Sequence, residues 1–179
     1  MIMALFATHS YISFFAVLAA TLHEFGHIIA ARILKVKFTG MKLDIFGASL
    51  HTENALYSYK KEFLLAFSGP AVNLVSYFAT AGLTEKSHAA YMFAASSIFL
   101  AILNLLPIKD LDGGRMAYAI ISRFFSENAA WQFVSISSFV IVFSLWTLSV
   151  YLILRLGASL SLFIFSTYLF CKIFVKNQN

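Results

Sequence analysis

Two histidines and a glutamate lie close together in a segment that is otherwise largely apolar. His23, Glu24 and His27 form an H-E-x-x-H pattern within residues 11–33. Histidines four positions apart on a helix are separated by about 40° around its axis, so both imidazoles face one side and can hold one zinc ion. Glu24 then lies beside the metal, where a carboxylate can take a proton from water. The pattern predicts metal-assisted hydrolysis.

The composition indicates the environment of this chemistry. Of the 179 residues, 60% are hydrophobic and 12% are charged, and the mean hydropathy is +0.82. These values are typical of an integral membrane protein. The apolar runs are long and show little alternation with period 2, which favours helices over a barrel. The net charge of +5 comes from residues scattered around helix ends, so it predicts membrane orientation rather than a nucleic-acid partner.

Five apolar segments are long enough to be predicted as spans of the lipid bilayer. We predict an all-α, polytopic transmembrane helical bundle of about five spans, forming a single domain over residues 1–179 with no separate soluble domain. The single cysteine, Cys171, allows no internal disulfide. The predicted spans are residues 10–34, 63–83, 89–107, 130–153 and 157–175.

The distribution of lysine and arginine predicts the orientation. Residues 35–61 carry five lysines, whereas residues 1–9 contain no lysine or arginine. Basic loops are retained in the cytoplasm. We therefore expect the N-terminus outside, the C-terminus inside and the histidine pair nearer the cytoplasmic face. Within this loop, residues 38–52 change to an alternating pattern that predicts a short strand or hairpin at the membrane surface, with an irregular re-entrant loop as the alternative.

A catalytic zinc site usually has three protein ligands, so a third is needed. Among the acidic residues, Asp110 and Asp112 follow the third predicted span at the depth expected for the histidine pair. Pro107 and the pair Gly113-Gly114 are predicted to break the helix there and let a carboxylate turn toward the metal. Zn²⁺, one aspartate and Glu24 would sum to zero charge. The alternative is an acidic turn solvated at the membrane interface.

Three segments resemble the signature segments of the site-2 intramembrane metalloproteases. They are L-H-E-F-G-H at residues 22–27, S-G-P-A-V-N at 68–73 and N-L-L-P-I-K-D-L-D-G-G-R at 104–115. Their order and spacing match, and within the family the chain is most similar to the stage IV sporulation B-type branch. The resemblance implies a three-helix catalytic core and a zinc metalloprotease. One departure is Asp110, since the family more often has apolar residues or proline before L-D-G-G.

The resemblance also implies roles for single residues. It makes His23, His27 and Asp112 the ligands of one zinc ion and Glu24 the general base. It places Asn104 near the site, where it would bond the substrate backbone or the developing negative oxygen, with a structural hydrogen bond as its alternative role.

The second signature segment has its own implied role. In it, Gly69 and Pro70 would kink or open a helix and bring Asn73 toward the site, where a structural role for Asn73 is the alternative.

The partners implied are a lipid bilayer and a membrane-tethered protein substrate. In the sporulation branch that substrate is a sigma-factor precursor, released by regulated intramembrane proteolysis. The sequence names neither the substrate nor an inhibitory membrane partner. Two other functions stay open: a membrane zinc carrier, and a non-catalytic scaffold of the same fold. The remaining histidines, His9, His51 and His88, are predicted to lie outside the site.

Overall fold

The fold is seen in a computed structural model that describes residues 10–36, 40–44, 47–51, 58–157 and 160–175. The predicted helical fold class is confirmed. The helices are α1 (Ser10–Ile33), α2 (Tyr59–Ala81), α3 (His88–Leu105), α4 (Asp112–Phe124), α5 (Glu127–Leu156) and α6 (Ser161–Val175). The strands are β1 (Gly40–Asp44) and β2 (Gly47–His51). The chain divides into two compact units, residues 1–105 and 106–179.

Four helices are long and apolar enough to cross a membrane. These stretches are Ile12–Ile33, Tyr59–Ala81, His88–Leu105 and Glu127–Arg155. The fifth predicted span contains α6, which has 15 residues and is therefore about 22 Å long at 1.5 Å per residue. The hydrocarbon core is about 30 Å thick. Among the described residues, the expected five spans are thus corrected to four and one shorter apolar helix.

In the first unit, α1, α2 and α3 pack against one another. Small residues fill the contacts between these helices: Ala19, Ala31, Ala66, Ala94 and Ala101 are all buried. Large apolar side chains such as Phe14, Phe78 and Phe99 are exposed. Small residues between helices and large apolar residues outside are expected when lipid is the solvent.

The segment that connects α1 to α2 in the sequence contains a two-stranded antiparallel sheet. Gly40 pairs with His51 and Asp44 pairs with Gly47. Both strands lie within residues 38–52, where the alternating sequence pattern predicted a short strand or hairpin. In the two-stranded sheet each strand has a paired neighbour on one side.

In the second unit, α5 contacts both α4 and α6. Its apolar core contains Ile108, Val142, Leu169 and Ile173. Hydrogen bonds to α5 fix the segment that precedes α4. The Ser137 hydroxyl donates to the Pro107 carbonyl at 2.7 Å, and the Lys109 N–H donates to the Ser138 hydroxyl oxygen at 2.8 Å.

The break predicted at Gly113-Gly114 is wrong in position, because both glycines lie in the first turn of α4. The break comes earlier, between Leu105 and Asp112, and it contains Pro107. A Cβ atom at Gly114 would collide with the carbonyl of Ile108. The glycine therefore serves a close approach of two backbone segments instead of ending a helix.

Candidate metal centre

His23 and His27 lie one turn apart on α1, and both are buried, at 5% and 6% exposure. Their Nε2 atoms are 3.2 Å apart. Two nitrogens bound to one tetrahedral zinc ion, each at about 2.0–2.1 Å, are separated by about 3.3 Å. The pair of imidazoles is thus arranged as one edge of a zinc coordination tetrahedron.

The partner of His27 fixes the state of its ring. His27 Nδ1 lies 2.8 Å from the carbonyl oxygen of Leu65 on α2. A carbonyl can only accept, so Nδ1 carries the proton and Nε2 keeps its lone pair. The hydroxyl of Ser68 donates to the same carbonyl at 2.6 Å. A metal-binding histidine with its second nitrogen bonded to a carbonyl is a common arrangement in proteins.

His23 contacts a different residue of α2, the helix that also contacts His27. Its Nδ1 atom lies 3.1 Å from the carboxamide of Asn73, which is fully buried on α2. The sequence segment S-G-P-A-V-N thus brings Asn73 to the histidine pair, as the resemblance implied. Both rings contact α2 through Nδ1, and both Nε2 atoms face each other.

Gly69 lies between these two contacts. A Cβ atom there would collide with His27 Nε2 and would lie 2.7 Å from His23 Nε2. The absence of a side chain therefore lets the backbone of α2 approach the two nitrogens closely. Two imidazoles whose Nε2 atoms face each other at this distance are a donor set that fits a divalent cation such as zinc.

Glu24 follows His23 on α1 and is half-buried. At about 100° per residue, its side chain leaves α1 beside the histidine face rather than on it. Glu24 therefore lies next to the histidine pair in sequence but on an adjoining part of the helix surface.

Asp112 belongs to the second unit. It is the first residue of α4 and is 8% exposed, whereas Asp110 is half-buried. Its Oδ1 atom lies 4.0 Å from Arg115 Nη1. The N-terminus of a helix favours a negative charge, so this position suits a carboxylate.

Asn104 is half-buried near the end of α3. Its Nδ2 atom donates to the carbonyl of Leu100, one turn earlier, at 3.1 Å. This nitrogen carries two hydrogens, so one bond within the helix still permits a second to another acceptor. Both roles considered for Asn104 are compatible with this geometry.

Sequence reasoning missed the Leu65 carbonyl and the close approach at Gly69. Neither feature is marked by a reactive side chain in the sequence. The one available signal is Pro70 inside α2, which has no N–H and therefore interrupts the backbone hydrogen bonds of that helix. Of the other histidines, His88 is exposed. The side chains of His9 and His51 lie outside the described residues.

Comparisons with known proteins are consistent with this architecture. The model of peptidase family M50 matches residues 79–148. The chain is 29% identical over 111 residues to stage IV sporulation protein FB of Bacillus subtilis, covering 59% of this chain and 38% of that protein. It is 30% identical over 111 residues to the putative zinc metalloprotease Rip3 of Mycobacterium tuberculosis, covering 56% and 28%. The chain therefore spans about a third of the length of these relatives.

A solved structure shares the fold. The site-2 protease from Methanocaldococcus jannaschii superposes with a TM-score of 0.64 at 18% identity, over 96% of this chain and 82% of that one. Several apolar helices of spanning length are in keeping with an integral, multi-pass membrane protein. The chain thus has the fold of a site-2 protease, and residues 79–148 resemble peptidase family M50.

Proposed function

We propose that this chain is an intramembrane zinc metalloendopeptidase, which hydrolyses a peptide bond in or near the transmembrane segment of a membrane-tethered precursor. The observation that carries the proposal is the approach of His23 Nε2 and His27 Nε2 to 3.2 Å, on an apolar helix and next to Glu24. The resemblance of residues 79–148 to peptidase family M50, and of the chain to a putative zinc metalloprotease, supports zinc as the metal.

Asp112 is proposed as the third protein ligand. It is buried, it lies at a helix N-terminus, and it occupies the aspartate position of the L-D-G-G segment. A carboxylate ligand also balances charge, because Zn²⁺ with Asp112 and Glu24 is neutral. Neutrality lowers the cost of placing these groups at membrane depth.

Each proposed residue has a chemical role. Zinc supplies Lewis acidity, which polarises the peptide carbonyl and makes water more acidic. The Glu24 carboxylate takes a proton from the attacking water and passes it to the leaving amine. The second N–H of the Asn104 carboxamide donates to the carbonyl oxygen as it gains negative charge. The two imidazoles would hold the metal through their Nε2 atoms.

The substrate must be unwound before it is cut, because the peptide bonds of a helix are shielded. An unwound segment can add to the edge of the sheet formed by β1 and β2, where main-chain hydrogen bonds would hold it extended. A sigma-factor precursor is the substrate that the sporulation branch suggests, cleaved by regulated intramembrane proteolysis. We place the active site nearer the cytoplasmic face, with the N-terminus outside and the C-terminus inside. If cleavage is regulated by an inhibitory membrane protein, that partner would bind this chain.

The test is co-expression of the chain with an epitope-tagged, membrane-tethered sigma-factor precursor. Glu24→Gln should reduce cleavage about 10²- to 10⁴-fold, the usual contribution of a general base, with zinc still bound. Asp112→Asn should lose both zinc and cleavage, whereas the matched control Asp110→Asn should keep both. Equal cleavage by the wild type, Glu24→Gln and Asp112→Asn would exclude this chemistry. A zinc carrier or a scaffold would work almost unchanged with Glu24→Gln.

A further inference from the structure

Asn73 is fully buried and lies against His23. The Asn73 carboxamide is 3.1 Å from His23 Nδ1 through its Nδ2 atom, and its Oδ1 atom has no hydrogen-bond partner among the described residues. A buried carbonyl oxygen without a donor is unfavourable. Packing alone therefore does not explain why an asparagine is found at this buried position.

Two arrangements of this contact are chemically distinct. If the amide nitrogen donates to His23 Nδ1, the ring proton must be on Nε2, where it blocks metal binding. If the carboxamide makes a half turn, its oxygen accepts a proton from Nδ1, and the lone pair of Nε2 is available. A half turn exchanges oxygen and nitrogen with almost no change in shape. It gives the unpartnered oxygen a donor and moves the amide nitrogen to the former position of that oxygen.

The second arrangement matches what α2 does for the other imidazole. Leu65, Gly69 and Asn73 follow one another at intervals of four residues, so they share one face of α2. Leu65 offers a carbonyl oxygen to His27 Nδ1, the backbone at Gly69 closely approaches the two Nε2 atoms, and Asn73 meets His23 Nδ1. Leu65 and Asn73 thus each contact the Nδ1 atom of one ring, which leaves both Nε2 atoms for the metal.

We infer that Asn73 is a positioning residue for the metal: its carboxamide oxygen accepts the Nδ1–H of His23 and so sets the ring state in which Nε2 binds zinc. The inference rests on the proposed zinc site. Outer partners of this kind usually change metal affinity 10- to 100-fold when they are removed. Asn73→Leu keeps the approximate volume and removes the acceptor. Asn73→Asp keeps an acceptor oxygen and removes the amide donor.

The experiment measures zinc affinity by competition with a chromophoric chelator, using the full chain in detergent micelles. Asn73→Leu should bind zinc roughly 10- to 100-fold more weakly, and Asn73→Asp should bind it at least as tightly as the wild type. Ser97→Ala is the matched control, because Ser97 is also fully buried in the first unit and its hydroxyl has no hydrogen-bond partner among the described side chains. Its affinity should not change.

The outcomes separate the inference from the function on which it rests. Unchanged affinity in Asn73→Leu, or equal losses in Asn73→Leu and Asn73→Asp, would overturn the role of the carboxamide oxygen. A wild type that binds no zinc would instead overturn the proposed function. If Asn73→Leu does not fold, Asn73→Asp decides: zinc affinity at least that of the wild type supports the inference, and affinity roughly 10- to 100-fold weaker contradicts it.

Discussion

Replacing Gly69 with alanine tests the geometry of the metal centre with a single methyl group. The added Cβ would collide with His27 Nε2 and lie 2.7 Å from His23 Nε2. Ordinary contacts between carbon and nitrogen are longer than about 3.3 Å, and an interior this densely packed has little room to adjust. The methyl group would therefore displace one or both Nε2 atoms from the positions in which they can bind one ion.

The expected magnitude follows from the cost of overpacking. Forcing an extra methyl group into a packed site usually costs about 1–3 kcal/mol. If α1 and α2 stay in contact, that strain is relieved by turning an imidazole away from its partner, and the loss appears in metal binding. At about 1.4 kcal/mol per factor of ten, zinc affinity should fall roughly 5- to 150-fold.

The assay is zinc titration of purified protein against a competing chelator, with thermal unfolding measured in parallel. Gly82→Ala is the matched control, because Gly82 caps the same helix with φ −69° and a Cβ there meets nothing within 4 Å. It should bind zinc as the wild type does. Wild-type zinc affinity in a folded Gly69→Ala protein would refute the placement of Gly69 beside the ligand nitrogens.

Two further substitutions probe the other elements of the site. Ser138→Ala leaves the Lys109 N–H without its acceptor, so the free energy of unfolding should fall by about 1–3 kcal/mol. The exposed Ser144→Ala should change it by less than about 0.5 kcal/mol, and equal thermal shifts in the two variants would contradict the anchoring of this segment. Asn104→Leu removes the proposed donor to the carbonyl oxygen, so kcat should fall about 10²- to 10³-fold at unchanged zinc affinity. An unchanged kcat would show that Asn104 has only a structural role, the hydrogen bond to the Leu100 carbonyl.

The local features of the site were predictable because they depend on neighbouring positions in the sequence. The spacing of His23 and His27 puts them on one face of any helix, and the run of apolar residues around them requires that helix. The same reasoning identified the four long helices. It also found Asn73, through the motif that contains it, but not which atom of His23 it contacts.

The features that depend on contacts between helices were not predictable from the pattern. The Leu65 carbonyl is a backbone group, so no residue type marks it as a partner of His27. The glycines in the first turn of α4 were interpreted as a break, since glycine lowers helix propensity, yet Gly114 is needed for the approach of Ile108. The length of α6 was overestimated because an apolar run does not show where its helix begins.

The most direct test of the account is the zinc content of the purified full chain after dialysis against a weak chelator. The wild type should retain one zinc ion per chain, and His23→Ala, His27→Ala and Asp112→Ala should each lose it, with Asp110→Ala unaffected. Retention of zinc in all four variants, or its absence from a folded wild type, would contradict a metal held by two imidazoles and one aspartate.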